Sequence, residues 1–140
     1  MGDNDVIGEG GFGCVFRKPL KCKTRKKIPS GNITKLLLKR HALTEYDTSM
    51  RIYDIVKTIP NHSRYFILHD MSICDPYQIP QKLKETMKKC KHLLKKDDVE
   101  TFNKRILNGE FLQLNIPYGG KSMVELWERM IFSKFRRNKD

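Results

Sequence analysis

The sequence predicts an α+β domain. Short β-prone runs are punctuated by glycine and proline, and one longer stretch, Ala42 to Ile59, carries apolar residues at helical spacing. The order of these pieces is three strands, a helix, a strand, an insert, a strand and a final helix. Strands and helices in this order are read as an α+β fold. At 140 residues and 16.5 kDa the chain has the size of one domain, or one domain with a tail.

Each element has a local reason. Val6-Ile7 opens a strand, and Cys14-Val15-Phe16 forms the next, with Gly8, Gly10, Gly11 and Gly13 supplying the tight turn between them. Residues 17–30 hold Pro19, Pro29 and six cations from Lys18 to Lys27, and read as a loop closed by Ser30-Gly31-Asn32. Ile33 to Leu38 reads as a third strand, although a Leu-rich run also suits a helix. Apolar positions 43, 46, 50, 53 and 56 mark the main helix, which Pro60 stops. Tyr65 to Leu68 reads as a fourth strand and 70–80, with Pro76 and Pro80, as a loop. Residues 81–96 read as a basic helix. Asp97 is placed to cap a second helix through about Leu107, with Glu100 as its capping-box partner and Asn108-Gly109 as its stop. Phe111 to Ile116 reads as a fifth strand, broken by Pro117 and Gly119-Gly120. Ser122 caps a last helix with Met123, Leu126, Trp127, Met130 and Ile131 on one side.

Composition narrows the function classes. Lys and Arg number 28 against 16 Asp and Glu, a net charge of +12, which excludes an acidic tail protein. No apolar run approaches the roughly 20 residues a membrane-spanning helix needs. The MGDNDV start has neither the basic nor the apolar region of a signal peptide, and no Ser or Thr at position six for myristoylation. The positive charge falls in 17–27, 82–96 and 134–139. Such blocks can neutralise nucleic-acid phosphates, although a solvated helix face is their commoner meaning. No aromatic residue is interleaved with the lysines of 82–96, which argues against a stacking platform there. Cys14, Cys22, Cys74 and Cys90 contain no C-x-x-C pair. Without an export signal they are expected to be reduced, partly buried thiols, and no zinc site is expected.

Gly8-x-Gly10-x-x-Gly13-x-Val15 matches G-x-G-x-x-G-x-V. The same core occurs in dinucleotide-binding folds, where the third glycine opens a helix. Here Cys14-Val15-Phe16 continues as strand and Pro19 blocks an early helix. A strand–glycine–strand hairpin lays backbone N–H groups over nucleotide phosphates, and a Cβ would hold the backbone off. A plain glycine hairpin has the same pattern. Lys35 on the third strand stands where a phosphate-contacting lysine belongs, and Glu45, ten positions on, is the acid to hold it. Asp47 is the alternative, on another face of the helix. As ordinary surface charges the two would be worth about 0–1 kcal/mol.

Together these residues resemble the small lobe of a protein kinase, most similar to the kinase-like proteins of large nucleocytoplasmic DNA viruses. The resemblance is carried by Ile7-Gly8-Glu9-Gly10-Gly11-Phe12-Gly13-Cys14-Val15-Phe16, by Lys18-Pro19-Leu20-Lys21-Cys22, by Ile33-Thr34-Lys35, and by Asn115-Ile116-Pro117-Tyr118-Gly119-Gly120-Lys121-Ser122 as a hinge. It covers most of the chain outside 80–109. It implies a twisted antiparallel sheet of about five strands with one main helix, a helical insert at 80–109 within a domain of 1–122, and a C-terminal helix and basic tail over 123–140. It also implies an ATP cleft under Gly8 to Gly13, lined by Val15, Lys35 and Glu45, with Ile116 and Tyr118 at the hinge. The setting it implies is a virion or the host cytoplasm.

The departures bear on activity. Phosphoryl transfer by a kinase needs an H-R-D-x-x-x-x-N loop for its base and a D-F-G for Mg²⁺, and the sequence has neither. His69-Asp70 is its one His-Asp step and precedes the hinge. The expectation is a non-catalytic binding or scaffold module with weak ATP binding and no metal site. Its helix from Met123, with Trp127, Phe132 and Phe135, would dock a protein partner. Two other readings stand beside it: the front piece of a split kinase, and a basic virion protein associated with nucleic acid.

Overall fold

The computed structural model describes residues 6–9, 13–25, 27–68, 70–95 and 98–118. The expected helix from Ser122, its docking face and the tail lie outside these residues, as do Gly10, Gly11, Phe12, His69, Asp97, Gly119 and Gly120.

The described chain is an α+β fold built on an open five-stranded antiparallel sheet. Strands β1 (Val6–Glu9), β2 (Gly13–Phe16), β3 (Asn32–Leu38), β4 (Ser72–Cys74) and β5 (Phe111–Pro117) lie in the order β1-β2-β3-β5-β4. The Leu-rich run of β3 is strand because it is central, paired along its whole length with β5 and, on the other side, with β2. Gly13 is required by this packing: a Cβ there would overlap the Leu37 side chain and stand 2.7 Å from the Leu36 carbonyl oxygen.

Helix α1 (Lys39–Val56) leaves β3 without a linker. Its first N–H donates to the Glu110 carbonyl next to β5, from Lys39 N at 2.9 Å, and no side chain caps this end. Fully buried Ala42 seats the helix on Leu37, Leu112 and Leu114, with Tyr46, Ile73 and Ile116 around them.

The opposite face of the sheet holds the larger core. Cys14, Phe16, Leu36 and Phe111 pack against Leu83, Met87, Leu93, Phe102 and Ile106 of the 80–109 segment. That segment is not the continuous basic helix expected for 81–96. It forms a 3-10 turn (Gln81–Leu83) and two single-turn helices, α2 (Lys84–Met87) and α3 (Lys91–Leu94). Buried Leu83, Met87, Cys90, Leu93 and Leu94 keep the spacing of a helical stripe, but the backbone breaks between the short helices, and Lys95 turns the chain with φ +57°. Helix α4 (Val99–Leu107) follows, capped by Asp98, one residue beyond the expected Asp97. Asp98 Oδ1 accepts from Thr101 N at 2.7 Å, and this bond holds its carboxyl below the ordinary value. Gly109, at φ +75°, ends the helix as expected.

The fourth strand is also displaced. Tyr65, Phe66 and Ile67 have β-prone side chains, but they follow a 3-10 turn, are exposed, and pair with no strand among the described residues. Ser72–Cys74, inside the expected loop, pairs with β5 instead.

All four cysteines are paired, against the expectation of free thiols. Cys14 of β2 joins Cys90, and Cys22 of the basic loop joins Cys74 of β4, with Cα separations of 5.7 and 5.8 Å. The partners stand 76 and 52 residues apart, so spacing along the chain gave no sign of them. In the chain-entropy view, closing either loop alone is worth about 4 kcal/mol.

Candidate functional site

The face of the sheet that carries α1 brings Lys35 and Glu45 together. Lys35 lies mid-strand, in register with Val15 of β2 and Leu114 of β5. Its side chain therefore rises from the centre of the sheet on the same face as Leu37, one of the residues under α1. Glu45 lies one turn beyond the seated Ala42, which turns its carboxylate toward the strand. Lys35 Nζ donates to both carboxylate oxygens, at 2.8 and 3.0 Å. The side chains keep 29% and 39% exposure. A pair this open adds little stability, about 0–1 kcal/mol, so its effect is on position rather than energy. It holds an ammonium group on an otherwise apolar surface while leaving a donor free to turn outward. Asp47, the alternative acid, faces away and pairs with Arg51 at 3.1 Å.

Around Lys35 the surface is apolar. Val15 and Ile116 are half-buried and Ile33 is buried, Ile33 and Ile116 being direct partners across β3 and β5. The hairpin of β1 and β2 borders this surface, with Gly8 opposite Val15 and Glu9 opposite Cys14 and an irregularity between Val6 and Gly8. Among the described residues a Cβ on Gly8 would meet only Val15 Cβ, at 4.0 Å, so their packing does not itself demand a glycine there. At the end of β5, Tyr118 N donates to the Gly31 carbonyl at 3.2 Å and the ring is 45% exposed. It borders a concavity of about 320 Å³ lined also by Arg17, Pro19, Asn32 and Ile33. Arg17 and Asn32 were not singled out from sequence, because the pairing of β3 with β2 on one side and β5 on the other is what brings them beside Tyr118.

Of the expected residues, Gly8, Gly13, Val15, Lys35, Glu45, Ile116 and Tyr118 are thus located, and Glu9 is located by its backbone in β1. Among the described residues no group of three or more His, Cys, Asp or Glu is arranged to hold a metal ion. Nor, among them, is any helix long and apolar enough to cross a membrane.

Compared with protein-family models, with curated proteins and with solved structures, the chain matches none.

Proposed function

We propose that the chain is a kinase-like small lobe without catalytic machinery, a binding or scaffold module that takes a nucleotide weakly at the Lys35 face. The observation that carries this reading is the Lys35–Glu45 ion pair beside a glycine-containing hairpin, on a surface made by Val15, Ile33 and Ile116. An ammonium group held by one carboxylate suits nucleotide phosphates, and an apolar floor suits a purine. Gly8 supports the reading as well: packing among the described residues leaves room for a side chain there, so close approach of a ligand is a better reason for its glycine. With neither HRD nor DFG in the sequence, the module binds rather than transfers phosphate.

The test is thermal unfolding of the full chain with a non-hydrolysable ATP analogue. Millimolar analogue should raise Tm, and Lys35→Met should abolish the rise while leaving the unliganded Tm nearly unchanged. No rise in the wild-type chain would sink the proposal.

A further inference from the structure

The basic loop after β2 does not stand free. Lys23 N donates to the Asp75 carbonyl at 2.8 Å, Tyr77 N donates to the Lys21 carbonyl at 2.9 Å, and Cys22 bridges Pro76 between them. Residues 21–23 and 75–77 thus form a short antiparallel ladder, fastened by the Cys22–Cys74 disulfide. Exposure alternates along both sides. Pro76 is buried and Cys22 half-buried, whereas Lys21, Lys23, Asp75 and Tyr77 are exposed. Side chains two apart share a face, so the outward face carries two ammonium groups, a phenol ring and, across from Lys23, the Asp75 carboxylate, which forms no ion pair with it.

Beneath this face the buried network of Thr34, Gln113 and Asn115 anchors the loop. Gln113 Nε2 donates to the Leu20 carbonyl at 2.6 Å, and Leu20 N donates to Thr34 Oγ1 at 2.9 Å. The backbone that carries these cations is therefore anchored to the sheet.

The surroundings are concave and cationic. Tyr77, 54% exposed, borders a groove of about 500 Å³ shared with Lys21, Lys23 and Arg25. It also borders a second concavity, of about 440 Å³, shared with Lys21 and Lys82. The ion pairs described for the molecule lie elsewhere and leave Lys21, Lys23 and Arg25 without a carboxylate partner among the described residues.

We infer that this ladder binds single-stranded nucleic acid, with Lys21, Lys23 and Arg25 on phosphates and a base stacked on Tyr77. Cations beside an exposed aromatic ring are the arrangement that tracks a single strand without reading its sequence. A duplex keeps its bases stacked and has no use for the ring. An acidic peptide or an anionic membrane would be held by charge alone, and the ladder's outward positions carry no aliphatic side chain to enter a bilayer.

The test is fluorescence anisotropy of the full chain with a labelled oligo-dT of about 16 nucleotides over a salt series. Affinity should fall steeply with salt. Tyr77→Ala should weaken it roughly tenfold or more, and Tyr77→Phe should preserve it. The Lys21→Ala/Lys23→Ala double variant should flatten the log–log salt slope by about 1.4, whereas Lys84→Ala/Lys89→Ala should change it little. Absence of binding at low salt would overturn the inference. So would equal losses in both double variants, indifference to Tyr77→Ala, or binding to polyglutamate or anionic vesicles as tight as to the oligonucleotide. The surface is separate from the Lys35 face, so the outcome is independent of nucleotide binding there.

Discussion

The two faces of the sheet are built on different principles. Among the described residues the packing under α1 is the smaller: a cluster of four buried residues, with Ile33 buried nearby, and an ion pair partly open to water. On the other face lie a cluster of 14 buried residues, a disulfide to β2 and a buried polar network. Stability is concentrated on one side, which leaves the other free to present a charged group on an accessible apolar floor. Breaking the closed face should therefore unfold the molecule, and breaking the open face should change its surface chemistry at little cost.

The largest effect is expected at the Cys14–Cys90 bond. Replacing both residues by serine should lower unfolding free energy by up to about 4 kcal/mol in urea titrations, and reducing the wild type, which also opens Cys22–Cys74, should lower it further. A loss under about 1 kcal/mol would mean that the 80–109 segment is held by apolar packing alone, and the contrast between the faces would shrink.

A pair of glycines sharpens the contrast within a single hairpin. Gly13→Ala must displace the β3 backbone and Leu37, and should cost about 1–3 kcal/mol. Gly8→Ala meets only ordinary contact among the described residues and should stay within about 0.5 kcal/mol, while removing the ATP-analogue shift. If the two glycines proved equally costly, Gly8 would be a folding residue and its link to a ligand would be lost.

The smallest effect is acid sensitivity at α4. The Asp98 carboxyl titrates below its ordinary value because it accepts from Thr101, so its contribution is complete above the unfolded pKa. That contribution is lost as pH falls through the lower, folded-state pKa. Asp98→Asn keeps a capping oxygen and should flatten this acid limb of the Tm profile, whereas Asp98→Ala should lower Tm slightly at neutral pH and abolish the same limb.

Much of the sheet was legible because β1, β2, β3 and β5 carry strong local signals: glycines, β-branched residues and a break at Pro117. The Lys35–Glu45 contact was legible because a strand running straight into a helix leaves little choice of partner. What was not legible depends on tertiary partners. Tyr65 to Leu68 has strand propensity but pairs with no strand among the described residues, and Ser72–Cys74 has a weaker signal but lies beside β5. The basic run 81–96 has helical composition and spacing, yet its backbone breaks between the short helices that cover the sheet. The cysteine pairs, and the meeting of Tyr77 with the 17–25 loop, join segments about 50 residues or more apart and leave no local pattern.

The two covalent links are nested, since residues 22 and 74 both fall between 14 and 90. A protease that cuts the exposed stretch around Tyr65 therefore severs the chain without separating it, because the halves stay bound through both pairs of sulfur atoms. Such a nicked molecule would keep its mass in a non-reducing gel and fall into two bands once a thiol is added.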